Sequence, residues 1–229
     1  MTTRTQPAAE RARRVVYPTS DGKPMAETDG HADLMIYFKE ALRAFYAHPG
    51  QRPAYVSGNN FLFWQEGAPG KRVSPDCYVV FDVAPGPRDS YMAWKEGGRL
   101  PAVVFEFTSR KTQREDMEKK FPLYEQALKV PEYFRFDPTG DYLHPRLQGF
   151  RLDANGAYQP IPLENDRLHS EQLGLDLVLD GETVRLYDPA RRTFLPTPQE
   201  QAARAEAAEA EIERLHARLA ALENQGSNS

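Results

Sequence analysis

The sequence predicts a mixed α/β (α+β) domain followed by a helical tail, on three observations. Leu34, Phe38, Ala41, Leu42 and Phe45 recur at helical spacing. The run PAVVFEFTS, residues 101–109, reads as a strand buried on both faces, with Glu106 inside it. Residues 141–195 alternate in hairpin fashion, as LQGFRLD/ANG/AYQPI and then LGLDLVLD/GE/TVRLYD.

Taken in order, residues 1–15 are polar and expected to be disordered. An amphipathic helix is expected over 30–47, capped by Thr28 or Asp29. HPGQRP at 48–53 breaks the chain, and short strands follow at 54–58, 61–64 and 76–83. The stretch 84–98 reads as a long loop rich in turn formers, of the kind that is functional or mobile. After the strand around Glu106, residues 114–128 read as a helix whose apolar stripe is Met117, Phe121, Tyr124 and Leu128. Pro122 lies within it, as a kink or a break between two short helices. EYFRF at 132–136 is a strand stopped by Asp137-Pro138. Thr197-Pro-Gln-Glu200 is a capping box with proline at the first helical position. The helix it opens, 197–223, carries Ala205, Ala208, Ile212, Leu215, Leu219 and Leu222 at alternating spacings of three and four. That stripe reads equally as a coiled-coil seam or as part of a solvated helix lying on the domain. Residues 224–229 are expected to be disordered.

The net charge of −4 gives no global electrostatic case for nucleic-acid binding, so any such contact needs a local basic patch. One cysteine, Cys77, excludes an intrachain disulfide and a cysteine-only zinc site, and suits a reducing cytoplasm. The N-terminus lacks an apolar leader core, and no run approaches the ~18 apolar residues of a membrane span.

A carboxylate inside a buried strand is costly unless something pairs with it. Downstream, Asp116, Lys120 and Tyr124 are spaced by four and project from one side of the helix. Upstream, Ser74-Pro-Asp76 opens a strand. Two carboxylates on adjacent strands with a cation from the next helix suit a hydrolytic divalent-metal site. Asp76 also reads as a turn residue, and Glu106 as half of a buried salt bridge to Lys120 or Arg110.

Pro75-Asp76, Glu106 thirty positions on and a lysine beyond it resemble the PD-(D/E)XK nuclease superfamily. More closely, VYPTSDGKPMAETDGH, RVSPDCYVVFDV, PAVVFEFTSRKTQREDMEKKFPLYEQALKVPEYFRFDP and LGLDLVLDGETVRLYDP resemble the Uma-two family of endonucleases in that superfamily. Together they span most of 16–195, which is taken as one nuclease-like domain. The resemblance implies a restriction-endonuclease-like fold: a mixed sheet of about four core strands flanked by helices in αβββαβ order. It implies Asp76 and Glu106 as ligands of Mg²⁺, or Mn²⁺ in its place, with the Phe107 carbonyl as a third. The superfamily expects lysine two residues after the glutamate, where Thr108 stands. The Uma-two pattern takes it from the following helix, which makes Lys120 the catalytic cation, with Lys119 and Lys111 as fallbacks.

With the resemblance, the metal site outweighs the salt-bridge reading. Ser109 and Thr112 are read as helix caps, Tyr124 as core, Cys77 as a small core residue, and Trp64 and Trp94 as packing rather than base-stacking groups. Asp116 either orients Lys120 or decorates a solvated face. His31 is assigned a surface or capping role ahead of a catalytic one. Arg110, Lys111 and Arg114 lie beside the expected site and are candidates to receive a phosphate backbone. The function expected is Mg²⁺-dependent endonucleolytic hydrolysis of DNA by a cytoplasmic homodimer, its contact reinforced by the C-terminal helix. The alternative is a catalytically inert nuclease fold that binds nucleic acid or serves in assembly.

Overall fold

The computed structural model describes residues 15–19, 28–108 and 113–226. Residues 1–14, 20–27, Ser109, Arg110, Lys111, Thr112 and 227–229, on which several sequence expectations fall, lie outside the described residues.

Helix α1 (Asp29–Ala47) is capped by Thr28, whose side chain accepts the His31 N–H at 3.2 Å. Its stripe buries Leu34, Met35, Phe38, Ala41, Leu42 and Phe45. Phe38 and Leu42 are fully buried, and each such side chain stabilises the fold by about 1.5–3 kcal/mol relative to exposure.

The strands are β1 (Ala54–Ser57), β2 (Phe61–Phe63), β3 (Arg72–Val73), β4 (Cys77–Phe81), β5 (Ser90–Met92), β6 (Val103–Phe107), β7 (Glu132–Phe136), β8 (Leu147–Leu152), β9 (Tyr158–Ile161), β10 (Arg167–Ser170), β11 (Leu175–Asp180), β12 (Thr183–Asp188) and β13 (Thr193–Phe194). The main sheet has the order β1-β4-β6-β7-β8-β9. β4 pairs with β6 antiparallel, and β6 with β7 parallel. A parallel neighbour needs a crossover, and the helical segment over 113–127 supplies it. In chain order α1, β1, β4, β6, that helix and β7 form the expected αβββαβ core, so the fold is the restriction-endonuclease-like α+β class. The sheet has six strands where about four were expected, because the β8–β9 hairpin extends its edge.

Strand alternation sorts the two faces of this sheet. Phe105 and Phe107 meet Phe38 of α1 at ring distances of 5.0 and 5.1 Å. The core on that side continues into the second sheet, β10-β11-β12-β13, through Leu168, Leu175, Leu177 and Leu186. Val104 and Tyr133 face the other way, in a core shared with Tyr124 and Leu128.

Two expectations need correction. The stretch 84–98 is not one loop: β5 pairs in parallel with β2, Tyr91 is fully buried, and a 3₁₀ turn spans Ala93–Glu96. The helix after β6 is not a regular α-helix. An α-helical start (Gln113–Glu115) leads into π-helical turns over Asp116–Lys120 and Leu123–Ala127, with Pro122 between them. Wider i→i+5 winding accommodates the proline, and it brings residues four apart into line. The buried stripe is therefore Asp116, Tyr124 and Leu128 with the half-buried Lys120, while Met117 is 52% exposed.

The capping box forms reciprocally, with Thr197 N–H donating to Glu200 at 2.8 Å and Glu200 N–H to the Thr197 hydroxyl at 3.1 Å. Helix α2 (Pro198–Gly226) runs past the expected end at 223. Side chains from Ala202 to Leu219 are all exposed, so over that stretch the helix does not lie on the domain. Among the described residues, no helix is long and apolar enough to cross a membrane.

Candidate active site

The chain crosses itself closely where Asp76 is placed. A Cβ on Gly58 would sit 2.0 Å from the Asp76 carbonyl oxygen, so only glycine lets the β1–β2 turn approach there. The Asn59 N–H donates to the Pro75 carbonyl at 2.8 Å and fixes the same junction. Cys77 pairs with Phe105, so the antiparallel register one step further brings Asp76 opposite Glu106. The Phe107 N–H donates to Asp76 Oδ2 at 2.7 Å.

Glu106 projects from β6 toward the 113–127 helix and is fully buried. Lys120 Nζ donates to its Oε2 at 2.7 Å, and the Tyr124 hydroxyl to its Oε1 at 2.7 Å. Lys120 also lies 3.0 Å from Asp116 Oδ1. Asp116, 1% exposed, is thus a buried partner that positions the lysine, and the solvated-face alternative falls. Tyr124 packs in the core as expected and at the same time serves the site.

His31 is the residue the sequence reasoning misplaced. It is buried, with Nε2 3.2 Å from Asp76 Oδ2. A signal was present: His31 continues the buried stripe of Met35, Phe38, Leu42 and Phe45 one turn toward the N-terminus. A polar side chain on that stripe has to meet a polar partner in the interior.

The charges do not balance locally. Burial would raise the Asp76 carboxyl, but the His31 hydrogen bond, the Lys120 charge and the Phe107 N–H outweigh it and hold the group below its ordinary value. Glu106 goes the other way. Burial, together with the carboxylates of Asp76 and Asp116, pushes it well above the usual range despite Lys120. Burial would lower Lys120, but three carboxylates around it raise it further, so it keeps its proton.

Among the described residues, no group of three or more His, Cys, Asp or Glu side chains forms a ready metal cage. The donor chemistry still fits Mg²⁺, which needs only one or two protein carboxylates and keeps its waters. Asp76 Oδ1 lies outside the His31 and Phe107 contacts, and the Asp76, Glu106 and Asp116 side chains outnumber the lysine they surround. Thr108, at the usual lysine position, is 2% exposed, and its hydroxyl has no hydrogen-bond partner among the described residues.

Arg114 stands apart, on the solvent side, paired with Glu118 at 3.0 Å. Lys119 is exposed, and Lys111 lies outside the described residues, so of the three lysines considered Lys120 is the one seen at Glu106. Trp94 packs on Tyr17 with ring centroids 5.2 Å apart, and Trp64 packs against the core that holds Tyr124. A family model described as "Putative restriction endonuclease", Uma2, matches residues 6–182, well over half of the 229 residues. A comparison with curated proteins finds no significant match.

Proposed function

The chain belongs to the Uma2 family, and from that premise we propose that it is a divalent-metal-dependent endonuclease hydrolysing DNA phosphodiester bonds. The observation that carries this reading is the meeting of Asp76, Glu106 and Lys120 from two strands and a helix. Asp76 and Glu106 would hold Mg²⁺, with the Phe107 carbonyl as a third protein oxygen. When bound, the ion would supply Lewis-acid polarisation of a phosphoryl oxygen and a more acidic water.

The chain's own residues do the rest. Water attacks phosphorus, the bond to the departing sugar oxygen breaks, and the proton released by the water is balanced by one taken up from solvent at that oxygen. Lys120, kept protonated by its carboxylates, offers positive charge beside the attacking water and to the charge that develops on phosphorus oxygens. Asp116 holds the ammonium in place and Tyr124 orients Glu106. His31 and the Phe107 N–H fix Asp76. Arg110 and Lys111, close to Glu106 in sequence, and the solvent-facing Arg114 are the candidate cations for the phosphate backbone. The unpaired Cys77 suits a cytoplasmic setting.

A second reading has one observation in its favour. Both oxygens of Glu106 already carry hydrogen bonds, so the cluster could be a self-contained buried ion pair in an inert nuclease fold. Calorimetric titration with Mn²⁺ separates the two. The nuclease reading expects binding by the native chain and its loss in both Asp76→Asn and Glu106→Gln, with the fold intact. No binding by the native chain, or undiminished binding by both variants, would sink it.

A further inference from the structure

We infer that α2 pairs with α2 of a second copy of this chain as a parallel, in-register two-stranded coil. The seam is unused within the monomer: Ile212, Leu215 and Leu219 are 53%, 46% and 56% exposed, on a helix whose side chains all face solvent from Ala202 to Leu219. Ala205, Ala208, Ile212, Leu215 and Leu219 alternate spacings of three and four, the repeat of a left-handed supercoil.

Residue choice selects the occupant. In the register with Ala205 as a first seam position, Ile212 falls at a and Leu215 at d, and β-branched a with leucine d favours two parallel strands. The flanking charges agree. In a parallel pair, position g of one helix meets e of the next heptad on the other. Arg204 then meets the partner's Glu209, and Glu211 meets the partner's His216, with no like-charged pair between them.

The helix is held at its root. Arg185 of β12 bonds Glu200 at 2.8 Å, and the capping box closes around it. Parallel pairing therefore brings both domains to the same end of the coil. Alanines occupy the seam near the root, so the hold is concentrated at Ile212, Leu215 and Leu219. This association stands independently of the nuclease reading.

The test is sedimentation of the full-length chain across a dilution series. A reversible dimer is expected, and the combined change Ile212→Asp, Leu215→Asp and Leu219→Asp should weaken it by more than about tenfold, since three apolar seam side chains are lost. Near-ultraviolet circular dichroism reports that the domain stays folded. Orientation is read by oxidising variants that each add one cysteine, the native Cys77 being buried. Leu215→Cys, on the seam, should give a disulfide-linked dimer, and Ala217→Cys, on the far side, should not. A monomer at every concentration overturns the inference. So does a dimer indifferent to the three aspartates, which would use another surface. Failure of Leu215→Cys to cross-link in a persistent dimer would mean antiparallel or shifted pairing.

Discussion

His31 Nε2 and Asp76 Oδ2 lie 3.2 Å apart, joining the first helix to the residue that opens β4. The same oxygen accepts the Phe107 N–H. One carboxylate oxygen thus ties together α1, the start of β4 and the end of β6, and the other stays outside those two contacts. On the proposed reading, Asp76 fixed in this way would lose little freedom on taking up a cation, which is the advantage of a pre-positioned ligand.

His31→Ala should therefore lower Mn²⁺ affinity about 10–100-fold, the usual effect of removing a group that orients a metal ligand. His31→Gln, which keeps a donor, should recover part of it. Calorimetry on the two variants checks this, and unchanged affinity in His31→Ala would show that Asp76 is held without the imidazole.

Lys120, the proposed catalytic cation, also bears on stability. Removing it leaves Glu106 and Asp116 buried beside each other without the cation they share. Lys120→Met should cost about 3–5 kcal/mol, the penalty for stranding a buried charge. Adding Glu106→Gln should return much of that loss, because the amide needs no counter-charge. On any substrate the native chain cleaves, Lys120→Met should be inactive, and Thr108→Lys added to it should restore part of the rate by supplying an ammonium from the strand. Urea unfolding of the single and double variants measures the first effect. A cost under about 1 kcal/mol, the range of an exposed pair, would contradict the buried arrangement.

Much of this was legible in the sequence, for identifiable reasons. β7 was readable to the residue because EYFRF is a pure strand run with Asp137-Pro138 behind it. The Asp116, Lys120 and Tyr124 spacing is local, so it survived into the site unchanged. β5 was not legible: Ser90-Tyr91-Met92 is short, and only its long-range pairing with β2 makes it a strand. Met117 was assigned to the buried stripe because a period of 3.6 was assumed where the backbone winds more widely. His31 was underrated because a lone histidine has no sequence partner, and Asp76 becomes its neighbour only on folding.

Gly58 has a role that reaches the site through backbone alone. Its missing Cβ is the space occupied by the Asp76 carbonyl. Gly58→Ala must push one of the two chains aside, at a cost of about 1–3 kcal/mol for overpacking, and should weaken Mn²⁺ binding by displacing Asp76. Thermal unfolding and metal titration of this one variant check both effects. Native affinity would show that the displacement is taken up by the turn of Gly58.

Cys77 offers a check on the packing directly behind Asp76. It is fully buried, and burial pushes its thiol up to about 12 from an ordinary 9.0. Only the thiolate reacts readily, so a disulfide reagent at pH 8 should leave the native chain unlabelled and label it fully once unfolded. The pH dependence follows from the same shift. Below pH 9 the thiol is neutral in both states and contributes no slope. Between about 9 and about 12 the unfolded chain loses this proton while the folded chain keeps it, so stability falls as pH rises, by up to about 1.4 kcal/mol per unit. Buried tyrosines with raised values add their own alkaline loss, so the comparison must be with Cys77→Ala, which should lack this part of the slope. Rapid labelling of the native chain at pH 8 would mean that β4 opens locally beside Asp76.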